Sequence, residues 1–349
     1  MNTIDQIILT ARDRNCSDIH ITAGMSVIFR IDGRLADSGI LLGEGEGERL
    51  ILSMADESMQ QRLSAGSDLD FALQASDGGR QRVNVFRQQG KLAATIRLLS
   101  DHIPSLEELN LPPVLKNLAD QPRGLILVTG PTGSGKSTTL AAMIDYINGS
   151  RAEHIITIED PVEYVYRPKL SLIHQREVGQ DVHNFAEALR SSLREDPDVI
   201  LVGEMRDYET ISAALTAAET GHLVLSTLHT TGAAQTIDRI IDACPPAAQN
   251  QVRTQLAGIL KGVITQCLIP LAHESGRCAA TEVLLGTDAA LNLIRENKCH
   301  QLNTTMQSGA ASGMHTLNGN LSELVRKGRI TRENAFRYSN DRRDLEQYL

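Results

Sequence analysis

The residues with the clearest chemical meaning form the run Gly130-Pro-Thr-Gly-Ser-Gly-Lys-Ser137, which matches the pattern G-x-x-x-x-G-K-[ST] in full. Glycines in such a loop let backbone N–H groups turn towards phosphate oxygens at the N-terminus of a helix. The Lys136 ammonium would neutralise the β- and γ-phosphates, and the Ser137 hydroxyl would reach Mg²⁺. The run predicts a nucleotide site made of Gly130, Pro131, Thr132, Gly133, Ser134, Gly135, Lys136, Ser137 and Thr138.

A carboxylate stands at a second position that suits phosphoryl transfer. Glu204 comes two residues after the apolar run 199–202, which is typical of a buried strand. From a strand end beside the phosphate loop, a carboxylate can reach Mg²⁺ through water or polarise the attacking water. We therefore predict that Ser137 and Glu204 serve the metal ion and that Glu204 acts in catalysis.

Three more carboxylates follow another apolar run, at residues 155–158. They are Glu159, Asp160 and Glu163, and Pro161 stiffens the turn between them. One carboxylate of this group could be the general base that activates water. A solvated acidic turn is the alternative interpretation of the same residues.

Histidines flank a fourth apolar run. His222 precedes residues 223–225, and His229 follows them after Ser226-Thr-Leu. In a fold with a phosphate-binding loop, polar residues at the end of this strand commonly sense the γ-phosphate. A single histidine is more often structural, so the residues alone leave the role of His229 open.

The elements that must position these residues alternate between strands and helices. The four apolar runs are continuous, as in strands of a parallel sheet that is buried on both faces. Helical patterns separate them, so the sequence predicts an α/β fold. We expect strands at residues 125–128, 155–158, 199–202 and 223–225, and helices at residues 137–147, 184–195, 207–220 and, in a mostly helical C-terminal part, 251–267.

The first hundred residues predict a separate α+β domain. Residues 80–88 and 91–99 suit a hairpin that turns at Gln89-Gly90. Arg82 and Arg97 project from its two arms, and solvation of the surface is the simplest explanation for both. A helix at residues 4–14, strands at residues 19–22 and 26–31 and a turn at Asp32-Gly33 complete the predicted elements.

Prolines mark the boundary between the two parts. Pro104, Pro112 and Pro113 lie close together, and proline continues neither a helix nor a central strand. We therefore predict an N-terminal domain of residues 1–100, a linker of residues 101–113 and a second domain of residues 114–349 that carries the predicted nucleotide site.

Composition argues against several other classes of protein. The chain has 349 residues, a net charge of −9, no tryptophan and 3% aromatic residues, which argues against a nucleic-acid surface. It shows no secretory signal and no apolar stretch of the roughly 20 residues that span a bilayer. The five cysteines have no C-x-x-C spacing, so we expect neither a disulfide framework nor structural zinc.

Together these motifs resemble one family over nearly the whole chain, the secretion ATPase superfamily of type II secretion and type IV pilus motors. Ser17-Asp-Ile-His20 resembles the start of its PAS-like N-terminal domain. Ile158-Glu-Asp-Pro-Val-Glu163 resembles its Asp box, the stretch 193–207 its Walker B region and the stretch 220–230 its His box.

The resemblance implies both a fold and an activity. The expected fold is α/β, a PAS-like α+β domain followed by a RecA-like P-loop domain with C-terminal helices. The expected activity is ATP hydrolysis with Mg²⁺ by a homohexamer, in the cytoplasm and bound to the inner membrane through a pilus platform protein. In this resemblance Glu163 is the base, His222 and His229 are sensors, and Arg82 or Arg97 approaches the nucleotide.

Within the superfamily, Gly203-Glu-Met-Arg-Asp207 and the short N-terminus look most similar to the ATPases that retract type IV pili during twitching motility. Those relatives carry A-I-R-N-L-I-R-E near the C-terminus, whereas this chain has Ala290 and Leu291 in place of the isoleucine and first arginine. A pilus assembly or type II secretion ATPase is the main alternative. A RecA-like helicase or DNA translocase and a catalytically silent ring are the others.

Overall fold

The computed structural model describes residues 3–31, 33–99 and 102–349. Asp32 of the predicted turn and Asp101 of the predicted linker lie outside the described residues. The chain divides into two compact units, the first made of Met1–His102 with Pro161–Val165 and the second of Ile103–Asp160 with Tyr166–Leu349.

Most of the segment predicted as a linker belongs to the second unit. Residues 102–113 form neither helix nor strand, as their prolines led us to expect. Leu106 and Leu111 are nevertheless buried. The segment therefore packs as part of the second unit from Ile103 onwards.

In its described residues the first unit is an antiparallel sheet with three helices. The strand order is β3-β2-β1-β6-β5-β4. Alternate residues such as Ile19, Val83 and Ile96 are fully buried and form the core face. In chain order the elements are α1 Ile4–Asp13, β1 Cys16–Thr22, β2 Ser26–Ile31, β3 Arg34–Leu41, α2 Glu44–Leu52, α3 Glu57–Ser64, β4 Leu69–Gln74, β5 Arg80–Gln88 and β6 Lys91–Leu98.

The predicted hairpin is confirmed as β5 and β6. Gln88 pairs with Lys91, and the two turn residues between them have positive φ angles, 49° at Gln89 and 76° at Gly90. Positive φ at both central residues is the signature of a two-residue turn that matches the twist of the strands. Arg82 stands directly opposite Arg97 in this register, on the face away from the core.

The second unit is a sheet of order β13-β12-β7-β11-β10-β8-β9, covered by helices. Its strands are parallel except β13, which is antiparallel to β12. The first elements are α4 Val114–Ala119, β7 Gly124–Thr129, α5 Lys136–Ser150, β8 His154–Glu159, β9 Leu172–Glu177, α6 Phe185–Ser192, β10 Val199–Val202, α7 Tyr208–Glu219, β11 Leu223–Leu228 and α8 Ala233–Asp242. The remaining ones are α9 Gln249–Ile259, β12 Leu260–Pro270, β13 Arg277–Leu285, α10 Asp288–Arg295, α11 Leu302–Ser308, α12 Leu317–Arg326, α13 Arg332–Tyr338 and α14 Arg342–Glu346.

The four predicted parallel strands are confirmed as β7, β8, β10 and β11, which lie side by side. Every residue of β7, β10 and β11 is buried, as continuous apolar runs predict. The Asn184 side chain accepts a hydrogen bond from Glu187 N (2.9 Å) at the start of α6, and Asp207 accepts one from Thr210 N (2.8 Å) at the start of α7. None of the helices in the described ranges is long and apolar enough to cross a membrane.

The helix predicted over residues 251–267 is wrong in its second half. Helix α9 ends at Ile259, and β12 continues from Leu260 to Pro270. Val263, Ile264 and Thr265 are β-branched, and they pair with β7 on one side and with β13 on the other. Backbone hydrogen bonds on both sides of the strand outweigh the helical spacing of its apolar residues.

Candidate active site

The phosphate loop joins β7 to α5, as its motif requires. Gly130, Gly133 and Gly135 have φ angles of 143°, 76° and 88°, a region that other residues rarely adopt. A Cβ atom at Gly130 would also clash with the carbonyl oxygen of Gln266. The glycines therefore permit a loop that residues with side chains could form only under strain.

The Lys136 side chain is folded back onto this loop. It is 8% exposed, and its Nζ donates hydrogen bonds to the carbonyl oxygens of Gly130 (3.0 Å) and Pro131 (3.1 Å). Ser137 and Thr138 follow in the first turn of α5. A buried ammonium beside the N-terminus of a helix makes a site for phosphate oxygens.

The strand ends bring the predicted groups to one edge of the sheet. Parallel strands share the edge at which they end, and β7, β11, β10 and β8 are consecutive neighbours. The phosphate loop follows β7, His229 follows β11, Glu204 comes after β10, and Glu159 is the last residue of β8. Ligands of open parallel sheets bind at this edge.

Glu204 is the centre of the charged contacts at this edge. Its side chain is 14% exposed, and its Oε1 lies 2.5 Å from Arg206 Nε. Its Oε2 lies 3.5 Å from His229 Nε2. The carboxylate is thus held between a guanidinium and an imidazole, in the place expected for a group that orients water or a metal ion.

This carboxylate lines a cavity of about 400 Å³. Glu204, Arg206, His229 and Arg239 contribute charged or titratable side chains to its lining. Neither Arg206 nor Arg239 is among the site residues predicted from the sequence. The spacing of Arg206, two residues after Glu204, was a usable signal, whereas Arg239 lies on α8 and reaches the cavity only through the fold.

The acidic group after β8 is divided between the two units. Glu159 Oε1 accepts hydrogen bonds from Thr157 Oγ1 (2.6 Å) and Gln175 Nε2 (3.3 Å) in the second unit. Glu163 is half-buried in the segment Pro161–Val165, which belongs to the first unit. The assignment of Glu163 as a base therefore stays a prediction.

The structure places His222 far from His229. His222 immediately precedes β11 and His229 immediately follows it, so the two lie at opposite edges of the sheet. At about 3.3 Å per residue, their separation along the strand is about 23 Å. His222 Nδ1 lies 2.9 Å from the carbonyl oxygen of Ala217. Within one chain the full length of a strand separates His222 from His229, and the role of His222 as a sensor stays a prediction.

The two predicted arginines of the first unit each contact a carboxylate. Arg82 Nε and a terminal nitrogen contact the two oxygens of Asp70 at 3.1 and 2.7 Å. Arg97 Nε lies 3.1 Å from Asp18 Oδ1, and Arg30 Nε lies 3.7 Å from Asp18 Oδ2. These contacts hold the guanidinium groups in a row across the polar face of the sheet.

Comparison with known proteins decides the family. The model of the family described as type II/IV secretion system protein matches residues 1–347. The chain belongs to this family. The predicted fold class is confirmed, an N-terminal α+β domain followed by a RecA-like ATPase domain.

Two relatives and one solved structure show where in the family this member stands. It is 46% identical to the type IV pilus retraction ATPase PilT of Pseudomonas aeruginosa, over 95% of this chain and 96% of that protein. It is 51% identical to a twitching motility protein of Neisseria gonorrhoeae, over 82% and 77% of the two chains. A crystal structure of the pilus retraction motor PilT with bound ADP matches with a TM-score of 0.93 and 47% identity, covering 99% of this chain and 100% of that one.

Sequence reasoning missed Gln266, a residue that braces the phosphate loop of this family member. Gln266 is 2% exposed on β12. Its Nε2 donates to the carbonyl oxygen of Ser134 (2.7 Å), and its Oε1 accepts from Thr139 Oγ1 (2.9 Å). A polar residue inside an apolar run was the available signal, because a buried amide needs hydrogen-bond partners.

The oxygen ligands available at this edge of the sheet fit Mg²⁺. Within the described residues, no group of three or more His, Cys, Asp or Glu side chains is arranged to hold a metal ion by itself. Mg²⁺ does not need one, since it commonly binds one or two protein ligands together with phosphate oxygens and water. The Ser137 hydroxyl and the Glu204 carboxylate are oxygen ligands of that kind.

The cysteines are free thiols in the described structure, and all but Cys267 are buried. Burial, with a smaller effect of Cys278, raises the pKa of Cys267 to about 11. Burial likewise raises the pKa of Cys299 to about 11. A raised pKa keeps a thiol protonated, whereas the thiolate is the form that binds metal.

Proposed function

We propose that this protein is a Mg²⁺-dependent ATPase that works as a homohexameric motor and powers retraction of a type IV pilus. The observation that carries the proposal is the meeting of the phosphate loop, Glu204 and His229 at one sheet edge. The chain that carries them is 46% identical, over 95% of its length, to a pilus retraction ATPase. The proposed location is the cytoplasm, at the inner membrane through a pilus platform protein.

In the proposed mechanism, the phosphate loop binds ATP through residues 130–138. The backbone N–H groups of the loop and the Lys136 ammonium bind the β- and γ-phosphates. Bound Mg²⁺ would neutralise charge on these phosphates, with Ser137 and Glu204 as the residues that hold it directly or through water. Gln266 keeps the loop in its binding shape through its bonds to Ser134 and Thr139.

Hydrolysis transfers the γ-phosphoryl group to water. Glu204 orients water at the γ-phosphate, and His229 contacts Glu204, so a change at the γ-phosphate reaches the loop after β11. We propose Glu163 as the general base, on the grounds of its resemblance to the family's Asp box. The role of His222 as a sensor stays a proposal from the family resemblance, and within one chain this residue lies at the other edge of the sheet.

Arg97→Ala should slow ATP hydrolysis without unfolding the protein. An arginine that stabilises charge in the transition state of phosphoryl transfer contributes about a thousandfold or more to kcat. The loss of Arg97 leaves Asp18 with Arg30, so the first unit keeps a partner for this buried carboxylate. Steady-state ATPase assays of Arg97→Ala and Arg82→Ala measure the effect.

Arg30→Ala is the matched control, since it removes the other partner of Asp18. We expect it to keep kcat near the wild-type value. Unchanged rates in both Arg82→Ala and Arg97→Ala would mean that the two side chains serve only the surface of the sheet.

The proposed domains keep the bounds predicted from the sequence, whereas the first compact unit also includes Pro161–Val165. We propose an N-terminal domain of residues 1–100 and a RecA-like ATPase domain of residues 114–349, with residues 101–113 between them. Because residues 103–113 belong to the second unit, the change between domains is proposed to lie before Ile103. In a ring, ATP bound to one ATPase domain would set the position of a neighbouring N-terminal domain.

The segment that departs from the retraction ATPases lies on α10. Ala290 and Ile294 are buried, and Leu291 is half-buried and packs against the main core of the second unit. Asn292, Arg295 and Glu296 are exposed. The polar face of this helix is therefore present, although leucine cannot supply the charge and donors of the replaced arginine.

Deletion of the gene tests the direction of the motor. If the protein retracts pili, cells without it should carry as many surface pili as the parent or more, and should lose twitching motility. Electron microscopy of pili and a motility assay measure the two outcomes, and the gene restored in trans is the control. Cells without pili would instead identify an assembly motor, the main alternative, while the ATPase chemistry would stand.

A further inference from the structure

A buried carboxylate outside the catalytic group joins the starts of two helices. Glu282 on β13 is 6% exposed. Its Oε1 accepts a hydrogen bond from the N–H of Ala233 (2.7 Å), the first residue of α8, and its Oε2 accepts one from the N–H of Leu317 (3.4 Å), the first residue of α12. Burial raises the pKa of Glu282, and the two N–H donors oppose that rise.

A row of hydroxyl groups begins beside Glu282. Thr265 stands opposite Glu282 in the β12–β13 register, so the two side chains share a face. Thr265 Oγ1 lies 2.9 Å from Oγ1 of Thr129, the last residue of β7 before the phosphate loop. Thr236 Oγ1 on α8 lies 3.4 Å from that of Thr129 and 2.7 Å from that of Thr230. This hydroxyl row consists of Thr265, Thr129, Thr236 and Thr230.

The segment of residues 229–232, the His229 loop, is held at both of its ends by these contacts. Thr230 is the last member of the hydroxyl row and contacts Thr236. The Gly232 carbonyl oxygen accepts a hydrogen bond from Thr236 Oγ1 (2.8 Å). The Thr231 carbonyl oxygen accepts from Asn340 Nδ2 (2.8 Å), near the C-terminus. Glu282 accepts a hydrogen bond from the N–H of Ala233, the first residue after the loop. The loop is thus bound both to the strand that precedes the phosphate loop and to the C-terminal part of the chain.

We propose that Glu282 is a positioning residue for ATP hydrolysis, which holds the His229 loop against the phosphate-loop strand and anchors it to α12. The proposal rests on the proposed ATPase function. Glu282 acts through the backbone at Ala233, and the group it positions is His229, which contacts Glu204 at 3.5 Å. The phosphate loop has its own braces in Lys136 and Gln266, which do not involve Glu282.

Because Glu282 contacts the end of the His229 loop and not the phosphate loop, we expect its loss to change kcat rather than KM. Loss of Glu282 should lower kcat, because the sensor loop shifts relative to Glu204. The KM for ATP should stay within about threefold, because the phosphate loop keeps its shape and binding to it is unchanged. A shift of about 1 Å in a group that acts on the reaction can cost about 100-fold in rate, so we expect a fall in kcat of at least tenfold in Glu282→Ala.

The test compares Glu282→Ala, Glu282→Gln and Thr281→Val in the full chain. Glu282→Gln keeps an oxygen for the Ala233 N–H and should recover part of kcat. Thr281→Val is the matched control, since Thr281 is the neighbouring buried residue of β13 and its hydroxyl bonds to His315 Nε2 (2.9 Å). It should lower the melting temperature while kcat per folded protein stays near wild type.

Hydrogen exchange provides a readout that needs no turnover. Amides of residues 230–236 should exchange faster in Glu282→Gln than in wild type, and those of the phosphate loop should not. Wild-type kcat in Glu282→Ala, or an equal fall in Thr281→Val, would overturn the proposal. If Glu282→Ala does not fold, Glu282→Gln decides instead: wild-type hydrogen exchange together with wild-type kcat in that variant would overturn the proposal. A wild-type protein without ATPase activity would refute the proposed function instead. The exchange data would still decide whether Glu282 holds the His229 loop.

Discussion

Lys136→Ala is expected to abolish both ATP binding and ATP hydrolysis. Lys136 supplies the only cation of the phosphate-loop motif, and its ammonium is already held over the loop by the Gly130 and Pro131 carbonyl oxygens. Removal of a preorganised donor from a site of developing charge typically costs about 100- to 1000-fold in rate, and here the same group also binds the ground state. Fluorescent-nucleotide titration and a steady-state ATPase assay measure the two losses.

The control for Lys136→Ala is Lys169→Ala in the same unit. Lys169 is half-exposed, and its Nζ pairs with Asp145 at 2.7 Å, a surface ion pair that contributes little. We expect Lys169→Ala to bind and hydrolyse ATP as wild type does. Nucleotide affinity in Lys136→Ala within about threefold of wild type, in protein with an unchanged melting curve, would show that the loop is not the nucleotide site.

The parts of the fold that sequence predicts well are those determined by neighbouring residues. The phosphate loop depends on glycines within a few positions of each other, and its strand and helix follow from continuous and periodic apolar patterns. The β5–β6 hairpin depends on two turn residues, Gln89 and Gly90. Each of these features is encoded over a stretch of ten to twenty residues, which a pattern can capture.

The parts that sequence does not predict depend on distant partners. Strand β12 has apolar residues at a spacing that also suits a helix, and only its pairing with β7 and β13 decides in favour of a strand. Gln266 and Glu282 lie on these two strands, so the contacts that give them their roles follow from the strand pairing. Gln266 contacts Ser134, which is more than a hundred positions away in the chain.

The two histidines show the same limit at a single strand. His222 and His229 are close in sequence, on either side of a predicted strand of three residues. Strand β11 is six residues long, from Leu223 to Leu228, and therefore separates them across the sheet. The strand is longer than the pattern predicted, and His229, at its carboxyl end, is the histidine of the two that contacts Glu204.

Glu204→Gln is expected to keep nucleotide binding and to lose turnover. The substitution preserves the shape of the side chain but removes the charge that faces Arg206 and His229. Because the phosphate loop binds ATP without this carboxylate, the dissociation constant should change by less than about threefold. Loss of a group that orients or activates water typically lowers the rate by about 10²- to 10⁴-fold, so we expect kcat to fall in that range.

Glu209→Gln is the matched control for this prediction, because it removes a carboxylate from the same region at the surface. Glu209 is 73% exposed, and its oxygen lies 3.9 Å from Arg190. A fall of kcat in Glu204→Gln alone would assign the effect to the carboxylate between Arg206 and His229. Near-normal turnover in Glu204→Gln would contradict the assignment, and the acidic group after β8 would then be the place to seek the residue that activates water. An equal fall in both variants would point to a general effect of charge on the sheet edge, since the two side chains share no contact that the mechanism uses.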